Sequence, residues 1–399
     1  MCIAGGQAPG TTKIEKIEIA TTGNATDFAD AIAGTTENGR GTSNNSRGIY
    51  NRGGVVNTVH QLTIATGGTA TDFGDMTVAR TAAHAASDGH GGLETGLDQR
   101  PSVTYMPGSG RAVLHVNGGD YDFFNINTQG TSVNFGDQRV SHTSAAGCSD
   151  LTRGVTTCER TGGTFAGTNM EYIEFASQGN AADFGDMATG HVLNSATSST
   201  TRGISLGGQS AGSTSVNVIE YFTIQTLGNA ADFGNLTVAR ARTAGYGSNT
   251  RGICTNGRDF TGPSILNEID YITIASTGNA TDFGDSTESK DYVSGTSSNI
   301  RGVTCGGYTP SAVDTIDYIT IASTGNAIDF GNLVRTRTVC GGTSNNVRGH
   351  FSGGYVSGNL DTADFITIAS TGNAADFGDL AQAGEYYYAV SDSHGGLQG

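Results

Sequence analysis

The sequence predicts an all-β fold arranged as an eight-bladed β-propeller, and three observations predict it. An Asp/Asn-Phe pair recurs eight times, each recurrence brings four short strand-like stretches, and no stretch carries a sustained 3.6-residue apolar period. The aromatic members of the pair are Phe28, Phe73, Phe135, Phe184, Phe233, Phe283, Phe330 and Phe377. Their spacings of 45, 62, 49, 49, 50, 47 and 47 residues fall in the range of solenoids, propellers and repeat arrays.

The unit 302–348 shows how each element is read. "RGVTCGGY" (301–308) alternates and stops at a glycine pair, and "TIDYITIAS" (315–323) is rich in β-branched and aromatic residues, so both read as strands. Thr324-Gly325-Asn326 is a turn, and a glycine stands five residues before the landmark Phe in all eight units, as a backbone position needing positive φ requires. "AIDFGNLV" (327–334) and "RTRTVCGGTS" (335–344) supply a third and fourth strand, and "NNVRG" (345–349) turns into the next unit. Four antiparallel strands per repeat of this length make one blade. In "YITIA" both alternating positions are apolar or β-branched, as expected of a sheet covered on both faces.

Two resemblances follow from these residues. Strands ending in Gly5-Gly6, Gly53-Gly54, Gly118-Gly119, Gly162-Gly163, Gly207-Gly208, Gly306-Gly307 and Gly353-Gly354, a Tyr-centred second strand and the link "LTVAR" (236–240) resemble the Kelch repeat, with Asn256-Gly257 and Phe for Trp as departures. That likeness implies a propeller and leaves function open among scaffolds, adaptors and, rarely, oxidases. "TGNATDF" (22–28) and "TGNATDFG" (277–284) are similar to tandem repeats of predicted tail-fibre or structural proteins of marine and cyanobacterial tailed phages. This second likeness implies a place on a virion or other extracellular surface.

Residue 1 falls inside a glycine-paired strand, so the first unit lacks its innermost strand, and "GEYYYAVSDSHGG" (384–396) has the form of the missing piece. The sequence therefore predicts one domain over 1–399, closed by pairing of the C-terminal strand with residues 2–6. The longer interval between Phe73 and Phe135 places an insertion at about 92–110, holding Pro101 and Pro107.

Composition limits the partners. The chain has 399 residues, 62 Gly, no Trp and a formal charge of −16, a field that repels nucleic acid and anionic lipid. No run of 18 apolar residues exists, so membrane insertion is not expected, and "MCIAGGQAPG" lacks the regions of a secretory signal. Carboxylates three apart, such as Asp183/Asp186, are too few for calcium and read as side chains bonding turn and strand-end amides. The Arg-Gly turns at Arg47, Arg153, Arg202, Arg251, Arg301 and Arg348 read as guanidinium bridges to an adjacent blade. His142 and His191, with His84, read as polar residues of the channel rim, and the cysteines as small buried thiols, with a disulfide between Cys148 and Cys158, which flank one inner hairpin, as the alternative. No catalytic motif, cofactor site or metal site is identified.

The loops after the glycine pairs differ strongly among repeats, whereas the turns "TGNA" and "SNNVRG" are monotonous. A rigid scaffold with one variable loop end is the layout of a recognition surface. The expected function is therefore non-enzymatic: a virion-associated protein binding a host surface receptor, protein or glycan, or a neighbouring virion protein, with homo-oligomers possible. The alternatives are an intracellular Kelch-like interaction scaffold and a carbohydrate-active enzyme. Candidate partner-binding residues are Arg258, Phe260 and Tyr308 in the variable loops, and Tyr105 and Met106 in the insertion.

Overall fold

The computed structural model describes residues 2–4, 12–17, 24–32, 40–44, 46–51, 56–80, 85, 87, 105–116, 119–139, 144–157, 167–262, 264–385 and 388–397. All regular structure among them is strand, apart from one 3-10 turn at Gly395–Leu397. The strands form eight four-stranded sheets. The sequence predicts one domain, but the chain divides into two compact units, residues 1–104 and 105–399.

The second unit holds six sheets. Sheet 1 comprises Ala389–Ser391, Arg111–Val116, Asp120–Asn125 and Val133–Asp137. Sheet 2 comprises Ala146–Ser149, Arg153–Thr157, Asn169–Glu174 and Ala182–Asp186; sheet 3, Ser195–Ser198, Arg202–Gln209, Ser215–Thr223 and Ala231–Asn235. Sheet 4 comprises Ala244–Gly247, Arg251–Asp259, Ser264–Thr273 and Thr281–Asp285; sheet 5, Ser294–Ser297, Arg301–Cys305, Thr315–Thr320 and Ile328–Asn332; sheet 6, Gly341–Ser344, Arg348–Ser352, Leu360–Thr367 and Ala375–Gly384. The first-named strands touch in cyclic order, each sheet's against the next and sheet 6's against sheet 1's, which is the arrangement of a β-propeller.

Closure differs from the sequence expectation. Ala389–Ser391 pairs antiparallel with Leu114, Val113 and Ala112, whereas Cys2–Ala4 pairs with Ile14–Lys16. The C-terminal strand thus completes the sheet of the repeat around Phe135, and six sheets rather than eight share that ring. The form of the missing inner strand was readable; its partner was not, because every repeat offers a similar second strand.

The repeated sentence "IDYITIASTGNAIDFGN" (316–332) is a set of joints between neighbouring sheets. Ile316 is core, and buried Asp317 pairs with buried Lys290 at 2.9 Å. Tyr318 lies beneath the Arg301 guanidinium and meets Phe330 edge-on. Ile319, Ile321 and Ala327 enclose Phe283 of the preceding sheet. Gly325 N–H donates to the Phe283 carbonyl, Ala327 N–H to the Asp285 carbonyl, and Asp285 N–H to Asn326 Oδ1, at 2.8, 2.8 and 3.1 Å. In turn Phe330 enters the pocket of Ile366, Ile368 and Ala374 in sheet 6. A Cβ on Gly331 would lie 2.5 Å from the Gly372 carbonyl oxygen, so the strand can approach only as glycine.

The same joint recurs around the ring, with Asn180, Asn229, Asn279 and Asn373 in the role of Asn326. These contacts correct the expectation for the carboxylates three apart in this unit, where the following sheet's asparagine satisfies the strand-end amides, whereas Asp72 Oδ1 accepts from Gly74 N–H as expected. At the closing junction Gln129 Nε2 donates to Asp376 O and Ala381 N–H to Ser132 Oγ, while Phe377 packs on Phe124 and Ile126.

The Arg-Gly arginines of this unit act as expected. Arg153, Arg202 and Arg251 donate to the carbonyls of Ile224, Ile274 and Ile321 in the next sheet, Arg301 to Ile368 and Ala369, and Arg348 to Ile126 and Asn127. Arg111, which lacks the following glycine, does the same to Phe175. Cys148 is a buried free thiol; Cys158, His84 and His142 lie outside the described residues.

The first unit contains two sheets: Cys2–Ala4, Lys13–Lys16, Thr26–Asp30 and Gly68–Thr69; and Arg40–Ser43, Arg47–Asn51, Val56–Thr63 and Thr71–Arg80. They share one joint of the same kind, in which Leu62, Ile64 and Ala70 pack with Phe28, and Ala70 N–H donates to the Asp30 carbonyl at 2.7 Å.

Candidate recognition site at the channel mouth

The six inner strands of the second unit surround a channel whose two ends differ. One end carries the hairpins that follow the glycine-paired strands, and these are the variable loops. A cavity of about 130 Å³ opens there, lined by Ser144, Leu193, Arg242, Tyr292, Val339 and Tyr388 among others.

Five of those residues hold left-handed backbone: Ser144 at φ 62°, Leu193 at 57°, Arg242 at 60°, Tyr292 at 55° and Val339 at 49°. This conformation is costly for side chains of that size. It is held because the amides pass a hydrogen bond from sheet to sheet around the mouth. Leu193 N–H donates to Ser144 O, Arg242 to Leu193, Tyr292 to Arg242 and Val339 to Tyr292, at 2.8–3.1 Å. Nothing in these residue types signals left-handed backbone, and sequence reasoning missed the collar.

The collar places Arg242 and Tyr292 beside fully buried Asp291. Arg242 Nη1 lies 3.1 Å and Arg258 Nη1 3.8 Å from Asp291 Oδ2. The Arg242 guanidinium sits 3.9 Å over the Tyr292 ring and 4.7 Å over Phe260, and Arg258 is 5.6 Å over Phe260 from its own side. Tyr308 exchanges both backbone hydrogen bonds with Asp291 and leaves its side chain 40% exposed. Burial raises the Asp291 pKa, and the hydrogen bond and charge of Arg242, then the charge of Arg258, oppose that rise. Asp291 Oδ1 and the Nε groups of Arg242 and Arg258 have no hydrogen-bond partner among the described residues. The sequence picks Arg258, Phe260 and Tyr308 therefore converge on one place; Asp291, Arg242 and Tyr292 were not anticipated.

Tyr105 and Met106 lie at the other end. Tyr105 is occupied internally: its hydroxyl donates to Leu151 O at 2.7 Å, its ring stacks on Phe175, and the Arg111 guanidinium lies over it. Met106 is 69% exposed and free for contact. The insertion reaches the described residues only from Tyr105 onward; 92–104 lie outside them. At this end Ser149 Oγ donates to Ser391 O, Ser391 to Ser344 O, Ser344 to Ser297 O, Ser297 to Gly247 O and Ser198 to Ser149 O, each at 2.7 Å. The C-terminal segment fills the mouth. His394 Nε2 lies 2.9 Å from Ser149 O and 3.2 Å from Ser198 Oγ, and a Cβ on Gly396 would sit 2.0 Å from Ser198 O.

The channel-rim reading of His191 needs correction. Its ring is buried beneath Gly208 and lies 3.3 Å from Ser205 Oγ, and burial holds its pKa down to about 4. His350, 2.9 Å from Ser352 Oγ, is likewise sealed, with its pKa down to about 3. Both serine–histidine pairs are closed to a substrate.

No family model matches this chain, and no curated protein does. Solved structures do match, 619 chains of them, so the fold is widely shared. One, titled "Structure of YjhT", aligns at a TM-score of 0.54 with 10% identity over 63% of this chain and 88% of its own. Similarity at that identity shows the fold alone.

Proposed function

We propose that this protein is a non-enzymatic recognition component of a virion or comparable extracellular surface, binding a host receptor through the variable-loop end of its second unit. The observation that carries this reading is the convergence of Arg242, Arg258, Asp291, Phe260 and Tyr308 at the variable-loop end, where Tyr308 and the Arg258 side chain remain 40% and 31% exposed above the buried carboxylate. Aromatic faces beside arginine and carboxylate suit a partner with both apolar and polar groups, such as a glycan or a peptide loop. The resemblance to phage tail-fibre repeats supplies the virion setting, and the Kelch-like pattern supplies the scaffold.

Labelled full-length protein on an array of immobilised glycans and on intact host cells tests the reading. Arg258→Ala and Tyr308→Ala are expected to weaken binding at least about tenfold each, the scale of a 1.4 kcal/mol contact. Met106→Ala, at the opposite end, is expected to leave it unchanged. Binding that survives both mouth substitutions contradicts the proposal.

A further inference from the structure

The turn Gly395–Leu397 is pinned in the channel by one imidazole that fits only when neutral. His394 Nε2 lies 2.9 Å from the Ser149 carbonyl oxygen, an atom that can only accept, so this nitrogen carries the ring proton. Nδ1 accepts from Gly396 N–H at 3.1 Å. Leu397 N–H donates to the His394 carbonyl at 3.0 Å, so the ring braces the turn that its own backbone starts. In the imidazolium both nitrogens are donors, and the proton added at Nδ1 would point at Gly396 N–H.

The seat leaves no room for a shifted turn. A Cβ on Gly395 would strike Ser298 O and one on Gly396 would strike Ser198 O, and Leu397 is buried. The ring borders a cavity of about 70 Å³ whose wall includes Ser149, Ser198, Ser297, Ser344 and Ser391. The strands packed against the turn, Ser195–Ser198, Ala244–Gly247 and Ser294–Ser297, present Ser, Thr, Ala and Gly and the Tyr246 phenol. Burial keeps that phenol neutral, and it pushes the Cys148 thiol, on the same cavity, up to about 12. Among the described residues the charged group that faces the ring is Asp150, whose carboxylate favours the imidazolium; Asp392, on the ring's own segment, is turned to Ser109 and Gly110 N–H. Burial outweighs Asp150 and the Ser149 hydrogen bond, and it holds the His394 pKa below its ordinary 6.5.

We propose that protonation of His394 releases the Gly395–Leu397 turn from the channel, making it an acid-operated plug at the end opposite the variable loops. Once released, the histidine has an ordinary pKa, so between that value and the lowered seated one the released form holds more protons. The seated form is therefore fully favoured above about pH 6.5 and loses about tenfold against the released form for each pH unit below it, until the seated pKa is reached.

Hydrogen exchange on the full chain, read by peptide mass spectrometry from pH 8 to 5 and corrected for the intrinsic pH dependence of exchange, tests this. The amides of residues 395–397 are expected to lose protection about tenfold per pH unit below about 6.5, while the strand Ala244–Gly247 keeps its own. The interval ends above the pKa of about 4 of His191 and about 3 of His350, so those buried rings stay neutral throughout. In His394→Gln, uncharged at every pH, protection of 395–397 is expected to be equal at pH 5 and 8, whether or not the glutamine seats the turn. Wild-type protection that stays flat across the interval overturns the proposal, as does a loss shared by His394→Gln or by Ala244–Gly247.

Discussion

Removal of residues 388–399 is expected to abolish the cooperative fold of the second unit. Tyr388, Val390 and Leu397 are each less than 10% exposed. Burying side chains of this kind contributes about 1.5–3 kcal/mol apiece, on the order of 5 kcal/mol together. The deletion also opens the edge of Arg111–Val116 and strips the bonds that Ser391 makes to Ser344 and receives from Ser149. It frees Ser109 and Gly110 N–H, which now donate to the Asp392 carboxylate. A loss of this size consumes much of the 5–15 kcal/mol by which domains are stable. Calorimetry is expected to show the main transition lost or lowered by at least roughly 10 °C. Removal of residues 1–11 is expected to leave that transition in place. A C-terminal truncation that melts like the full chain contradicts the closure described here.

Phe233→Ala should be the most damaging of the single landmark substitutions tested against Phe73→Ala. Phe233 fills a pocket made by Ile272, Ile274 and Ala280 of the next sheet and meets Tyr221 edge-on. Its truncation leaves a cavity between two sheets, at a cost of about 3–5 kcal/mol. Phe73 has the same sequence surroundings but is half exposed, and its loss is expected to cost under about 1 kcal/mol. Urea denaturation of the two variants separates them. Equal costs would mean that Phe73 is covered like the others.

The repeat made the sheets legible. Periodic Phe, glycine pairs and β-branched runs are local signals, and they gave the strands, the two unlike ends and the bridging arginines. The ring size was not legible, because closure is a choice among near-identical strand edges and no local residue records it. Burial of Arg240, Lys290 and Arg337 was also missed. Each sits in the link between two sheets, yet each is fully buried and paired at 2.9 Å with Asp270, Asp317 or Asp364. A lone basic residue in a linker carries no mark of the carboxylate it will meet about 30 residues later. At the mouth, Arg258, Phe260 and Tyr308 were found because loop variability points to them. Asp291 and Arg242 were not, because their meeting depends on the left-handed collar.

The pairing of Val390 with Val113 is the point on which this account turns. Directly opposed residues of antiparallel strands have Cα atoms about 4.5–5.5 Å apart, within disulfide reach. Val113→Cys with Val390→Cys in the full chain is therefore expected to crosslink under mild oxidation, as read by peptide mass mapping, while Ile3→Cys with Val390→Cys is not. A crosslink from residue 3 and none from residue 113 would show instead that both chain ends close one larger ring.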